Sequence, residues 1–350
     1  MTDLSDFNDM PSTPKNRRFW ILAAGTIATI YMLILVGGIV RATGSGMGCP
    51  DWPTCFGQWI PPTSESQLPA NYQQIYADRG YSETAFNVRK TWTEYLNRLL
   101  GVFTGFTILL TFLFSLSYRQ RDVGVTYLAF AGFVLVGVQG WLGSRVVASN
   151  LHPGLITVHM LLAQVIVGLM IAAILRSAKT SLSQIKIGQL PNMAYTILVI
   201  SMILGLVQLV VGTQVREAID LIAKQSNYIN RHLWIDNLPM IFNIHKILAV
   251  PLLLINGWLV WQFLSRTQSA VLSFLNWSLA ALLLGTVVMG MSMDRLSLPI
   301  YAQPLHLWMA SLIFGAQLAI FLVVRYARSG VSPTSIADTS ANGAVEHIQH

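Results

Sequence analysis

Residues 19–40 read FWILAAGTIATIYMLILVGGIV, a stretch without a charged side chain. The hydrocarbon core of a bilayer is about 30 Å thick, so about 20 consecutive apolar residues in helical conformation are enough to cross it. Seven further stretches have this character: Leu99–Tyr118, Val123–Gly143, Leu155–Leu175, Met193–Val215, Ile241–Leu264, Ala270–Met293 and Leu305–Val324. The composition agrees. Of 350 residues, 53% are hydrophobic and only 11% charged, and the mean hydropathy is +0.55. A soluble domain carries about 25% charge. A water-soluble fold has no room to hide this much apolar surface, which excludes a soluble enzyme, a disordered chain and a disulfide-rich secreted scaffold. The expected fold class is an all-α integral membrane protein with eight transmembrane helices. The first span is too long for the apolar region of a signal peptide and follows a polar lead, so no cleavable signal is expected.

The net charge of +7 is not a nucleic-acid signal, because no basic run is long enough to form a patch. The bilayer is the expected partner. Lys15, Arg17, Arg18, Arg119, Arg121, Arg176, Lys179, Lys186, Arg266, Arg325 and Arg328 flank the spans on one side. The other side holds as many, but many of those lie in the long Arg41–Lys90 loop or inside spans, as Arg98 and Lys246 do. Orientation follows the short loops, which puts both termini in the cytoplasm of an inner or plasma membrane.

The two halves resemble each other. Span one ends Val36-Gly37-Gly38-Ile39-Val40-Arg41 and span five ends Val211-Gly212-Thr213-Gln214-Val215-Arg216. Span two opens at Asn97-Arg98-Leu99 and span six at His245-Lys246-Ile247. His159 and Gly168 in span four have the spacing of His306 and Gly315 in span eight. Asn97 precedes His159 by 62 positions, and His245 precedes His306 by 61. The expected architecture is two tandem, pseudo-symmetric four-helix bundles. Residues 1–18 form an N-terminal cytoplasmic segment, 19–176 the first bundle with external loop 41–90, and 177–192 a cytoplasmic linker. Residues 193–326 form the second bundle, and 327–350 a disordered tail rich in Ser, Thr, Ala and Asn.

His159, His245 and His306 all fall within the first turns of a span, at one expected depth. Ionisable residues in hydrocarbon are expensive and point to function. Neutral imidazole is an axial ligand of haem iron, and bundles place cofactors between facing helices. His245 and His306 could clamp one haem from both faces, although a histidine bonded to a neighbouring helix is the bland alternative. Arg41, Arg98, Arg145, Arg216 and Arg295 lie near span ends, where a guanidinium can pair with haem propionates or simply snorkel to the interface. Glu94 shares a helical face with Asn97. It is a candidate for chemistry at the mouth of the bundle, or a helix-start acid favoured by the dipole. Cys49 and Cys55 lie in a turn-rich loop. No other cysteine competes, so a disulfide is favoured over two independent small residues.

Taken together, these motifs resemble the heme A synthases. The run Gly37 to Gly57 carries Thr43-Gly44-Ser45-Gly46-Met47-Gly48-Cys49 and Trp52-Pro53-Thr54-Cys55, and Glu94-Tyr95-Leu96-Asn97-Arg98 looks like the family's Glu-x-x-His-Arg. With His159, His245 and His306 the resemblance covers roughly residues 19 to 326. It implies oxidation of the C8 methyl of haem O to the formyl of haem A, by successive hydroxylations with water-derived oxygen, for terminal oxidases. By position it implies haem b ligated by His245 and His306, and a substrate haem faced by His159 in the first bundle. Glu94 matches the essential acid, and Cys49 and Cys55 the loop pair. Asn97, Arg98, Arg41 and Arg216 fall around the cofactors. A haem O synthase is the implied partner; the electron acceptor is not identified, and a homo-oligomer is compatible with it. One departure stands out: Asn97 replaces the family's first histidine.

Two other classes compete. A membrane cytochrome b subunit for electron transfer explains paired histidines but not Glu94 or the cysteine loop. A repeat-built transporter has no use for three histidines at one depth.

Overall fold

A computed structural model describes residues 14–82, 85–188, 190–226 and 229–329. All eight expected spans are helices: α1 Pro14–Ala42, α2 Val88–Ser115, α3 Val123–Ala148, α4 Pro153–Ser177, α5 Asn192–Gln225, α6 Met240–Arg266, α7 Ala270–Arg295 and α8 Ala302–Ser329. Each is long and apolar enough to cross a membrane. Their outward faces carry large apolar side chains such as Leu254, Phe274 and Leu284, which are 70%, 65% and 67% exposed. In water such a surface would aggregate; lipid is the solvent that suits it. The chain is a multi-pass membrane protein.

Helix contacts form two closed rings. In the first, α1, α2, α3 and α4 each touch the next and α4 returns to α1; in the second, α5, α6, α7 and α8 do the same. The rings meet through α1, α4, α5 and α8. Fully buried Ile108 and Met170 fill the first ring, and Leu198, Leu259, Leu279 and Ile320 the second. Burial is supplemented by hydrogen bonds between helices, each contributing about 1 kcal/mol in hydrocarbon. Thr26 of α1 pairs with Thr111 of α2 at 2.8 Å. Gln164 of α4 donates to Ser311 of α8 at 2.8 Å. Gln317 of α8 donates to Ser201 of α5 at 3.0 Å and Asn256 of α6 at 2.7 Å.

Contacts recur at the positions that the sequence repeat equates. Thr213, one residue after Gly212, bonds Thr157, two before His159, at 2.9 Å. Gly38, one residue after Gly37, packs on Pro304, two before His306, and an added Cβ would stand 3.1 Å from the proline Cβ. Asn150-Leu151 and Ser297-Leu298 lie nine and eight residues before His159 and His306. All four adopt left-handed backbone, with φ of 53°, 63°, 55° and 58°. Such residues cost about 1 kcal/mol or more each. Neighbouring side chains brace both turns: Arg79 donates to the Ala148 carbonyl and Asn150 to that of Asp78, while Arg231 donates to the Leu298 carbonyl.

Several helices outrun the apolar spans. The first turns of α2 precede Leu99 by eleven residues, starting where the Asn87 side chain accepts from the Lys90 amide. This polar stretch is helical because its inner face lies under a folded loop rather than in lipid. That loop, described over residues 43–82 and 85–87, has its own core of Cys49, Cys55, Phe56, Leu68, Tyr72 and Tyr81. The Phe56 ring makes edge contacts with Tyr72, Tyr76, Tyr81 and Phe86 at 5.3–6.2 Å. Likewise α5 continues ten residues beyond Val215, because Val215, Ile219 and Ala223 form a stripe that packs on Trp234 and Leu298. The result is a cap over each ring at the same end. Both described termini lie at the other end. α8 runs to Ser329, three residues into the stretch expected to be a tail, and the remainder of that stretch lies outside the described residues.

Candidate functional site

At the cap end of α2, Glu94 is only 4% exposed. Its Oε1 accepts from Arg98 at 2.5 Å, an i,i+4 ion pair, and its Oε2 accepts from the Cys49 amide at 3.0 Å. The Arg98 guanidinium also donates to the carbonyls of Asp51 at 2.7 Å, Thr54 at 2.9 Å and Cys49 at 3.2 Å. Thr91 Oγ1 donates to the Gly48 carbonyl at 2.8 Å. One face of α2 thus supplies acceptor and donors to the stretch from Gly48 to Thr54, which lies in no helix or strand. The close approach of that loop depends on Gly48, where a Cβ would run into the Lys90 carbonyl. Burial pushes the Tyr81 hydroxyl up from its ordinary pKa, so it remains a donor, bonding the Met47 carbonyl at 2.6 Å.

Cys49 and Cys55 are joined, with S–S 2.01 Å and Cα atoms 4.8 Å apart, and both are 0% exposed. A loop this short contributes about 2 kcal/mol by restricting the unfolded chain. Alkylation of unreduced protein followed by mass spectrometry is expected to find neither cysteine modified; two alkylated thiols from native membranes would contradict the bridge.

Deeper in the rings, one pattern appears four times. The side chains of Asn97, His159, His245 and His306 each face a glycine of the preceding helix. A Cβ built at Gly37 would be 4.0 Å from Asn97 Oδ1, and at Gly143, Gly212 and Gly290 it would be 3.5, 3.3 and 3.3 Å from the respective imidazole Cε1 atoms. Four residues before three of these glycines stands a group bonded to the histidine. Gln139 donates to the His159 carbonyl and Gln208 to the His245 carbonyl, each at 2.8 Å. The Thr286 carbonyl lies 2.9 Å from His306 Nδ1. A carbonyl only accepts, so this Nδ1 carries the proton and the Nε2 lone pair is free to ligate. Asn97 Oδ1 and the Nδ1 atoms of His159 and His245 are buried without a partner among the described residues.

The structure brings His245 and His306 together, with ring centroids 6.2 Å apart. Asn97 and His159 share the first ring, on α2 and α4. Arg41 and Arg216, repeat-equivalent arginines, meet on a residue the sequence did not single out: Asp220 accepts from Arg41 at 3.0 Å and from Arg216 at 2.7 Å. Arg216 also donates to Gln303 and to the Arg41 carbonyl. Gln139, Gln208, Thr286, Asp220 and Gln303 were all missed. The Gln-x-x-x-Gly spacing at Gln139–Gly143 and Gln208–Gly212 is the signal that would have found two of them.

A model of the cytochrome oxidase assembly proteins, COX15-CtaA, matches residues 20–318, nearly the whole described chain. The chain belongs to the COX15-CtaA family. Similar proteins include the heme A synthases of Granulibacter bethesdensis (32% identical over 151 residues), Shewanella oneidensis (27% over 158) and Brucella ovis (30% over 142). The matched stretches span 40%, 45% and 38% of this chain, and the same shares of those relatives. In this COX15-CtaA protein the family match runs through both rings. It includes Glu94, Asn97 and all three span histidines.

Proposed function

We propose that the chain is an oxidoreductase of the heme A synthase type. It oxidises the C8 methyl of haem O to the formyl of haem A by successive hydroxylations with water-derived oxygen. The observations that carry this reading are the His245–His306 pair and, against a plain cytochrome, the buried Glu94 carboxylate clamped between Arg98 and the cysteine loop. With ring centroids 6.2 Å apart, the two imidazoles leave room for one metal between them, so His245 and His306 would hold haem b. The fixed Nδ1 proton of His306 and the glycines beneath both rings fit the same group. Bound there, haem b supplies one-electron redox chemistry.

In this reading the two halves are tandem, pseudo-symmetric bundles, and the first takes the substrate. The recurring contacts at Thr157–Thr213 and Gly38–Pro304 support that arrangement. His159 would be the ligand toward the substrate haem, and Asn97, which has the place of an imidazole at the other three glycine-facing sites, would be a weaker one. Converting methyl to formyl adds one oxygen from water and releases four protons and four electrons to an acceptor. Positive charge that develops at the methyl carbon is stabilised by the Glu94 carboxylate. Arg98 and the Cys49 amide hold that carboxylate in place, so its role is a preorganised charge rather than a mobile base. The cap faces the oxidising side of an inner or plasma membrane, where a disulfide persists, and both termini lie in the cytoplasm. A haem O synthase is the natural supplier of substrate.

The substrate site is tested by Asn97→His. Residue 97 occupies the position that imidazole holds at the other three glycine-facing sites. Adding the ring should convert the first-bundle haem toward a six-coordinate, low-spin absorption spectrum and slow its exchange. An unchanged spectrum would mean that residue 97 does not face the iron.

A further inference from the structure

One cluster lies just capward of the histidine pair and has more donors than it uses. Arg216 follows Gly212 by four residues on α5, so it stands one turn capward of the glycine that His245 packs against. Gln303 precedes His306 by three residues on α8, one turn above the other ring. Arg216 and Gln303 bond each other across the ring. Arg231, in the loop after α5, lies at the same cap, beside the cluster in which Trp234 and Leu298 pack with Val215, the neighbour of Arg216. It is braced by the Leu298 carbonyl and by Trp234, whose ring centre is 5.4 Å from its guanidinium carbon. Arg41 enters from the first ring through Asp220.

Two features of this cluster call for an anion. Arg216 Nε, Arg231 Nε and Gln303 Nε2 are buried donors without a partner among the described residues. Leaving buried donors unmatched is unfavourable, so a partner is called for. The charges are also unbalanced: Arg41 and Arg216 share the single carboxylate of Asp220, and Arg231 has no ion-pair partner among the described residues, an excess of two. A ligand with two carboxylates would balance it.

The geometry points to Arg216, Arg231 and Gln303 as the seat of the two propionates of haem b, with Arg41 completing the charge from the other bundle and Asp220 as the fixed counter-ion that aims both Arg41 and Arg216. This rests on the reading that haem b lies between His245 and His306. It adds Arg231, Gln303 and Asp220 to the cofactor's surroundings, and it makes the second bundle's site depend on a residue of the first. Guanidinium groups suit the task because they meet a carboxylate with two parallel hydrogen bonds.

The test compares haem b with its dimethyl ester, whose propionates carry no charge. Protein in detergent is depleted of haem, reloaded with either form, and haem loss to apomyoglobin is timed. Wild type should lose the ester about tenfold to a hundredfold faster, the size of a lost charge-assisted hydrogen bond. Arg231→Gln should lose haem b about tenfold faster than wild type while losing the ester at an unchanged rate, and its haem b midpoint potential should fall because a positive charge is gone. Gln303→Met, which changes no charge, should speed haem b loss a few-fold and leave the ester alone. If either variant accelerates both forms equally, the residue acts only on the fold and the assignment is overturned. Equal retention of both forms by wild type overturns it too. The spectrum separates this from the underlying reading: a wild type without low-spin haem b removes the histidine-pair site itself, whereas low-spin haem b with no ester effect removes only the propionate seat.

Discussion

Glu94→Gln should leave haem b bound and stop haem A formation, so that haem O accumulates. The substitution keeps the shape and removes the charge. Removing one preorganised charge that faces a developing charge of opposite sign commonly costs about 10²–10³ in rate. There is also a structural cost. Arg98 loses its ionic partner at 2.5 Å but keeps its three loop carbonyls, and a glutamine oxygen can still accept from the Cys49 amide. Weakening a partly buried pair in this way costs about 1–3 kcal/mol, which the disulfide-closed cap should survive. The measurement is haem composition by chromatography in cells that also make haem O. Haem A at the wild-type rate would leave Glu94 as the clamp of the cysteine loop and nothing more.

His306→Ala should remove most of the low-spin haem b, and His245→Ala should do the same. In the proposed reading each takes away one of the two imidazoles that would hold haem b. His306→Ala additionally frees the Thr286 carbonyl, which its Nδ1 holds at 2.9 Å. The two variants should therefore differ in what they leave behind. Loss of His245 leaves an oriented imidazole and a five-coordinate, high-spin remnant. Loss of His306 leaves an imidazole whose Nδ1 has no partner, and less haem altogether. Reduced-minus-oxidised spectra of the purified variants make the comparison. Full low-spin haem b in both would remove the pair from its assigned role.

The membrane fold was legible because apolar length is a local property. Every span from Phe19–Val40 to Leu305–Val324 lies within a helix. Helix ends were less legible, because they depend on caps. Nothing apolar and continuous marks Val88–Arg98 as helix; it folds because Thr91 and Glu94 turn into the cysteine loop. The extension of α5 was written in the spacing of Val215, Ile219 and Ala223, a stripe too sparse to read as a span. The histidines were found singly, and the repeat offset linked His159 to His306. What brings His245 within 6.2 Å of His306 is the closure of the second ring, which no local pattern states. Glu94 is legible as a carboxylate on the helical face of Asn97, but its two engaged oxygens follow from the return of a loop 45 residues earlier. Asp220 passed unnoticed for the same reason: its partner Arg41 is 179 residues away.

Whether the chain makes haem A is decided by the haem content of the purified wild-type protein from cells supplying haem O. Haems are extracted with acid and acetone, separated by reversed-phase chromatography and identified by mass. Haem B is expected together with haem O, haem A or the hydroxylated species between them. Haem B alone would make the chain an electron-transfer cytochrome, and no haem at all would contradict the assignment of His245 and His306 as well.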